Sequence, residues 1–368
     1  MQYYMNYVLG LPRSTSKKAT QGTIVHKVME VLAQCKKTMQ NLEETPIACD
    51  KPTPYRIDDE HIGIIEWFHD DFLKPYPLSN DEIDAINKTR VSKYKYKHDA
   101  KIPYGTIHYG QSMVEDIFER CFAYYSQDDW APVDRKDCVN WTWMALEYKN
   151  GIFDPRQRQI IAAEPQFEYV IDKPWANYNW RLPSGEKISG KLGIKGTIDL
   201  ITEVGDGIIE IVDWKTGQRL DWGSKKDNDI KTYVKLCDDF QLMLYCYAAK
   251  RLYPHAKQII VSIFYIRDGG PYTICMDDTT TQKVEELLQQ RFQEISVCNH
   301  PQMLDHSQKH FKCTRICDYF KAQSPNGKTN MCRFIYDKIR EKGIDWVTDN
   351  YTEENFNVGY YQEPGEKE

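Results

Sequence analysis

The sequence predicts an α/β fold, a mixed central sheet flanked by helices, with a mostly helical insertion at residues 40–160. Three observations lead there. Residues 196–217 hold two β-branched, apolar runs on either side of Gly205-Asp206-Gly207, which is a hairpin signal. Helical periodicity precedes that hairpin and follows it. Ile259-Ile-Val-Ser-Ile-Phe-Tyr-Ile266 is then a continuous apolar run, the mark of a strand buried on both faces.

Taken in order, residues 1–10, rich in Tyr, read as the end of a helix stopped by Gly10 and Pro12. From Thr20 to about Lys36, Ile24, Val25, Val28, Met29, Val31 and Leu32 give a largely buried helix. His26 and Glu30 are four apart and share a face of it. Inside the insertion, Ser112-Met-Val-Glu115 reads as a capping box opening a helix with Val114, Ile117, Phe118, Cys121, Phe122 and Tyr125 inward. A second helix is expected over about 137–149, with Trp141, Met144 and Leu146. The stretch Lys88–His98 alternates lysines with Tyr94 and Tyr96. It suits phosphate contact and base stacking along a single strand, or equally a solvated loop with snorkelling lysines. Strand signals begin at Glu164 and run to Ile171; Glu164 or Glu168 could add a carboxylate to the site, with exposure the expectation for either. Pro183-Ser-Gly marks a turn towards the central hairpin. After it come a loop carrying Lys225 and Lys226, a helix over about 230–252, and the buried strand 259–266. A turn at Asp268-Gly-Gly then leads to a strand from Tyr272 to Met276, followed by a helix over about 280–297.

The hairpin carries the chemistry. Asp199 lies seven residues before Asp206 and Asp213 seven after, so the two carboxylates fall opposite each other. Cross-strand partners share a face, with Cβ atoms about 4.5–5.5 Å apart. Period 2 adds Lys215 to that face and turns Trp214 away. Two facing acids repel unless a cation lies between them. Oxygen ligands of this kind suit Mg²⁺ or Mn²⁺, and an adjacent lysine can orient or activate the attacking water. Metal-assisted hydrolysis of a phosphodiester is the expected chemistry.

Gly196-Thr-Ile-Asp199 followed by Asp213-Trp214-Lys215-Thr216 resembles the active-site hairpin of the PD-(D/E)XK nuclease superfamily, with its restriction-endonuclease-like core. The similarity is strongest to the RecB-like exonuclease branch, which includes the CRISPR-associated adaptation nucleases. Gly22-Thr-Ile-Val-His26-Lys-Val-Met-Glu30 resembles that branch's first motif, and Gln241-Leu-Met-Leu-Tyr245 its Gln-x-x-x-Tyr motif. Asp213 stands where the family more often has Glu, a permitted variant. The resemblance implies that His26, Asp199, Asp213 and the Trp214 carbonyl hold the metal. Lys215 would position the nucleophilic water, and Gln241 and Tyr245 would orient substrate. It further implies DNA as substrate, cut from ends or as single strands in recombination, repair or phage DNA processing, with a helicase or recombination protein as partner. Two rival classes use the same residues. A small-phosphoester hydrolase would need a closed pocket, and a non-catalytic DNA-binding or assembly subunit would have no use for a repulsive acid pair.

The length allows one large core, and the sequence is read as a single nuclease domain over 1–368 with a cysteine-bearing segment at 300–345. A formal net charge of −6 gives no support for DNA binding by the whole chain, so any nucleic-acid path must be a local basic patch. No apolar run reaches the ~18 residues of a membrane span, and the N-terminus lacks signal-peptide features. Eleven cysteines therefore read as reduced thiols in the cytoplasm of a bacterium or a phage-infected cell. Cys313, Cys317 and Cys332 lie in a polar, loop-rich stretch with metal-ligand spacing. RecB-like nucleases often hold an iron–sulfur cluster with one cysteine before the first motif and three after the last. The resemblance thus implies a cluster with its first cysteine upstream of the chain as given, a degraded cluster, or a zinc site joined by His306 or His310. Three ordinary buried thiols are the remaining reading.

Overall fold

The structure is a computed structural model and describes residues 1–11, 16–44, 111–126, 129–181, 186–219, 231–298, 300–303, 313–314, 317–325 and 327–352. In chain order its elements are α1 (Lys17–Glu44), α2 (Gln111–Tyr125), α3 (Pro132–Glu147), β1 (Gln159–Ala163), β2 (Gln166–Val170), β3 (Asn177–Arg181), β4 (Lys187–Lys191), β5 (Gly193–Thr197), β6 (Leu200–Gly205), β7 (Ile208–Lys215), α4 (Tyr233–Cys237), α5 (Phe240–Leu252), β8 (Gln258–Tyr265), β9 (Gly270–Cys275), α6 (Asp278–Ser296), α7 (Asp318–Lys321), α8 (Met331–Lys342) and α9 (Ile344–Asn350). They form two compact units. One comprises Lys17–Tyr169 and Ile194–Glu285; the other comprises Met1–Ser16, Val170–Gly193 and Glu286–Glu368.

The first unit is built on a five-stranded sheet of order β1-β6-β7-β8-β9. Strands β7 and β8 run parallel and the other neighbours antiparallel, so the sheet is mixed, as expected. The hairpin register pairs Leu200 with Val212 and Ile201 with Ile211, which sets Asp199 across from Asp213 just beyond the ladder. A parallel neighbour needs a crossover, and α4 and α5 supply it between β7 and β8. Val212 and Trp214 of β7 enter a core with Leu200, Phe264 and the apolar residues of α1, α2 and α3. Helix α1 contributes Ile24, Val25, Val28, Val31 and Leu32, each fully buried.

Several expectations shift in detail. Helix α1 is longer than the periodic stretch, and α2 starts ahead of Ser112, so the proposed capping box lies inside the helix. Helix α3 begins at Pro132, a residue suited to the first turn, and Met144 on it is exposed rather than inward. The segment read as one helix over 230–252 is two, because Asp239 caps α5 by accepting the Gln241 backbone N–H. Strand β1, the sheet's edge, went unrecognised in the sequence. It carries a register shift between Ile160 and Ala162, which breaks the alternation by which a strand is read.

In the second unit, β3 and β4 pair as the expected hairpin, with Trp180 opposite Ile188 and Tyr178 opposite Gly190. They form a sheet of their own rather than extending the central one. A separate core gathers Tyr4, Met5, Leu9 and Leu11 with Tyr319, Met331, Phe334, Ile335, Val347 and Tyr351. The N-terminal helical turn, a π-helix at Tyr4–Val8, ends at Gly10, which adopts φ +67°. The Lys88–His98 stretch with Tyr94 and Tyr96, Lys225 and Lys226, the acidic tail, His306 and His310 lie outside the described residues. Among the described residues no helix is long and apolar enough to cross a membrane.

Candidate metal centre and active site

The site lies entirely within the first unit. Strand β7 supplies Asp213 and Lys215 on one face and buries Trp214 on the other. Lys215 Nζ donates to Asp213 Oδ1 at 2.9 Å and stands 2.7 Å from Oδ2. The approach to Oδ2 lacks hydrogen-bond geometry, and that buried oxygen accepts no hydrogen bond among the described residues. From α5, Gln241 Nε2 lies 3.3 Å from Asp213 Oδ1 and donates to the Tyr245 hydroxyl at 2.7 Å. One turn of helix thus connects the Gln-x-x-x-Tyr pair to the strand acid.

Asp199 sits in the bend before β6, where its Oδ2 accepts the Trp214 backbone N–H at 2.8 Å. His26, on the inner face of α1, places Nδ1 3.4 Å from the same Oδ2. His26 and Trp214 both line the cavity at this point. Gly22, one turn earlier on α1, permits this approach. A Cβ there would meet Thr216 Oγ1 at 2.8 Å, in the loop leaving β7.

The structure corrects the reading of Glu164. Expected on the surface, it is only partly exposed and turns into the site. His26, Glu164 and Asp199 each offer a ligand atom within 4.8 Å of the others. Glu164 has φ +47°, a left-handed conformation that a non-glycine residue holds only where its surroundings impose it. Its own N–H donates to the Asp199 carbonyl at 3.0 Å, which pins the kink against the hairpin. Because the chain kinks between β1 and β2, an unbroken strand pattern could not show which way this side chain points. Glu168 is exposed, as expected.

Burial governs the electrostatics. It raises the pKa of Asp199 and of Asp213, and Asp213 also feels the charge of Asp199. Burial, then Asp199 and Glu30, push Glu164 up to about 8. Burial lowers His26 to about 4, against a smaller opposing pull from Asp213, so the imidazole is neutral at pH 7 and has a lone pair to give. Three carboxylates whose pKa burial raises, an orphaned buried oxygen on one of them and a neutral histidine fit a divalent cation with oxygen and nitrogen ligands. A cavity of about 510 Å³ opens onto them, lined by Gly22, His26, Glu164, Trp214 and Lys215 among others.

Glu30, on the first-motif face of α1, is not among that ligand group. Its carboxylate meets Lys27 Nζ and accepts from Gln34 Nε2 at 2.9 Å. Lys27 had no signal of its own in the sequence.

Cys317 and Cys332 belong to the small core of the second unit, and Cys313 is half-buried. Among the described residues these three thiols do not form a ligand group of the kind that His26, Glu164 and Asp199 form. Cys332 lies on α8 rather than in a loop. Burial raises Cys332 to about 12 and Cys313 less far, so as free thiols both stay protonated at neutral pH.

Fold and site together define a class, an α/β nuclease core built around a position for a divalent cation. A profile of the PD-(D/E)XK nuclease superfamily matches residues 1–333, and the chain belongs to that superfamily. No curated protein matches it significantly. Among solved structures, it is similar to a candidate exonuclease from Eubacterium rectale, with 13% identity over 50% of this chain and 61% of that one, at a TM-score of 0.29. It is also similar to the crystal structure of SSO0001, with 16% identity over 56% of this chain and 78% of that one, at a TM-score of 0.23. The chain thus spans 61% of the first of these relatives.

Proposed function

We propose that the protein is a Mg²⁺- or Mn²⁺-dependent deoxyribonuclease that hydrolyses DNA from ends or as single strands. The observation that carries this reading is the grouping of His26, Glu164 and Asp199, with His26, Glu164 and Lys215 lining an open cavity and with Lys215 and the Gln241–Tyr245 pair both joined to Asp213. His26, Asp199, Glu164, Asp213 and the Trp214 carbonyl would hold a divalent cation, which would supply Lewis-acid charge to the scissile phosphate. Lys215, tied to Asp213, holds the attacking water in line. Gln241 and Tyr245 steer the phosphate. Tyr245 keeps its proton, because burial and the nearby acids raise its pKa, so its hydroxyl serves as a donor. An open cavity favours a polymer over a small phosphoester, and the acid set argues against a purely structural subunit.

Within the same reading, Cys313, Cys317 and Cys332 hold an iron–sulfur cluster, or a zinc ion with a histidine such as His306 or His310. Their spacing in the sequence, with Cys317 and Cys332 in one small core, supports this. The cellular role is recombination, repair or phage DNA processing in the cytoplasm, with a helicase or recombination protein delivering DNA. Incubating end-labelled linear and covalently closed circular DNA, single- and double-stranded, with Mg²⁺ or Mn²⁺ tests the activity. Linear DNA should be degraded and closed circles spared; efficient nicking of closed circles would replace the exonuclease by an endonuclease.

A further inference from the structure

One face of α1 lines the cavity through Gly22, Thr23, His26, Lys27 and Glu30, while its other faces are packed with aliphatic side chains. Lys27 and Glu30 are therefore not members of a solvated helix face. Their side chains are 13% and 4% exposed. A lysine ammonium is held this far from water only where a carboxylate compensates it. One oxygen of Glu30 meets Lys27 Nζ and the other accepts from Gln34, itself buried, so the pair is fixed at both ends. The fully buried Cys121 of α2 feels both charges from one side, and Glu164 feels both from the cavity.

Among the described residues, four carboxylates converge on the site: Asp199, Asp213, Glu164 and Glu30. Two ammonium groups accompany them, with Lys215 on Asp213 and Lys27 on Glu30. Each lysine neutralises one acid. Asp199 and Glu164 remain, facing a neutral histidine, and their two negative charges match one divalent ion. Without Lys27, Glu30 and Glu164 would form a second acid pair, charged enough to attract a second ion.

We infer that the Lys27 ammonium stands in place of a second divalent cation, so that this centre binds a single metal ion and carries its second positive charge on the chain itself. The inference rests on the proposal that the cavity is a metal centre, and ion counting separates the two.

The experiment is a Mn²⁺ titration of the full chain without DNA, with free Mn²⁺ counted by electron paramagnetic resonance and the stoichiometry repeated by calorimetry. Wild type and Lys27→Arg should each bind one ion at the cavity. Lys27→Met, which keeps the aliphatic stem and removes the charge, should bind two, and Lys27→Met/Glu30→Gln should return to one. Two ions at the wild-type cavity would overturn the inference without touching the metal reading, whether or not any variant folds. A single ion in folded Lys27→Met would overturn it as well. No bound ion in wild type, with Asp199→Asn indistinguishable from it, would overturn the metal reading and this inference together.

Discussion

Glu164 offers the sharpest test of the metal centre, because its titration falls where experiments are easily done. With a pKa of about 8 in the metal-free protein, roughly one Glu164 side chain in eleven is ionised at pH 7. A cation that needs the carboxylate must expel the proton from the rest, which costs about 1.4 kcal/mol, or a tenfold loss of apparent affinity. At pH 9 that penalty is nearly gone. Mn²⁺ or Mg²⁺ affinity should therefore rise about tenfold between pH 7 and pH 9 and then level off. Glu164→Gln cannot ionise; its affinity should be flat over that range and weaker than wild type at pH 9 by ~10-fold or more. Calorimetry in two buffers of different ionisation enthalpy should show close to one proton released per ion at pH 7 in wild type and fewer in the variant. The same shift has a stability signature. An acid whose folded pKa lies above its unfolded value binds extra protons in the native state, so stability falls as pH rises from the unfolded value of 4.5 towards 8. His26 acts in the opposite direction, but only below about its model-compound value of 6.5. Between pH 6.5 and 8 the metal-free wild type should lose thermal stability, while Glu164→Gln should not. Equal pH dependence of metal affinity in the two proteins would refute the placement of Glu164 among the ligands.

Other expectations follow from the same geometry. Lys215→Ala leaves the acids in place, so Mn²⁺ should bind at least as tightly by calorimetry, while single-turnover cleavage falls by at least ~10²; cleavage at the wild-type rate would mean that the assigned site is not the active one. Asp213→Asn removes a buried charge that Lys215 and Gln241 both engage, so metal affinity and cleavage should fall together. Protein purified without oxygen should show visible absorption that Cys317→Ala abolishes, and stoichiometric zinc without iron in elemental analysis would replace the iron–sulfur cluster by a zinc site.

The sequence by itself determined the sheet's central hairpin and the placement of its charged side chains. The hairpin turn and period 2 are local constraints. Together they set Asp199 across from Asp213, turned Lys215 to the same side and buried Trp214 before any tertiary contact was considered. The helical pairs His26–Glu30 and Gln241–Tyr245 were likewise legible, since i, i+4 spacing fixes a shared face. Tertiary structure decided which neighbours those faces meet. It brought His26 to Asp199 from a helix 173 positions earlier in the chain, and it gave Glu30 to Lys27 rather than to the metal group. It turned Glu164 inward through a positive φ that no alternation of polar and apolar residues encodes. Burial is also a property of the assembled core. A residue type sets only the ordinary pKa, and the packing of α1, β6, β7 and α5 around the acids makes Glu164, Asp199 and Asp213 hold their protons so much more tightly than they would in water.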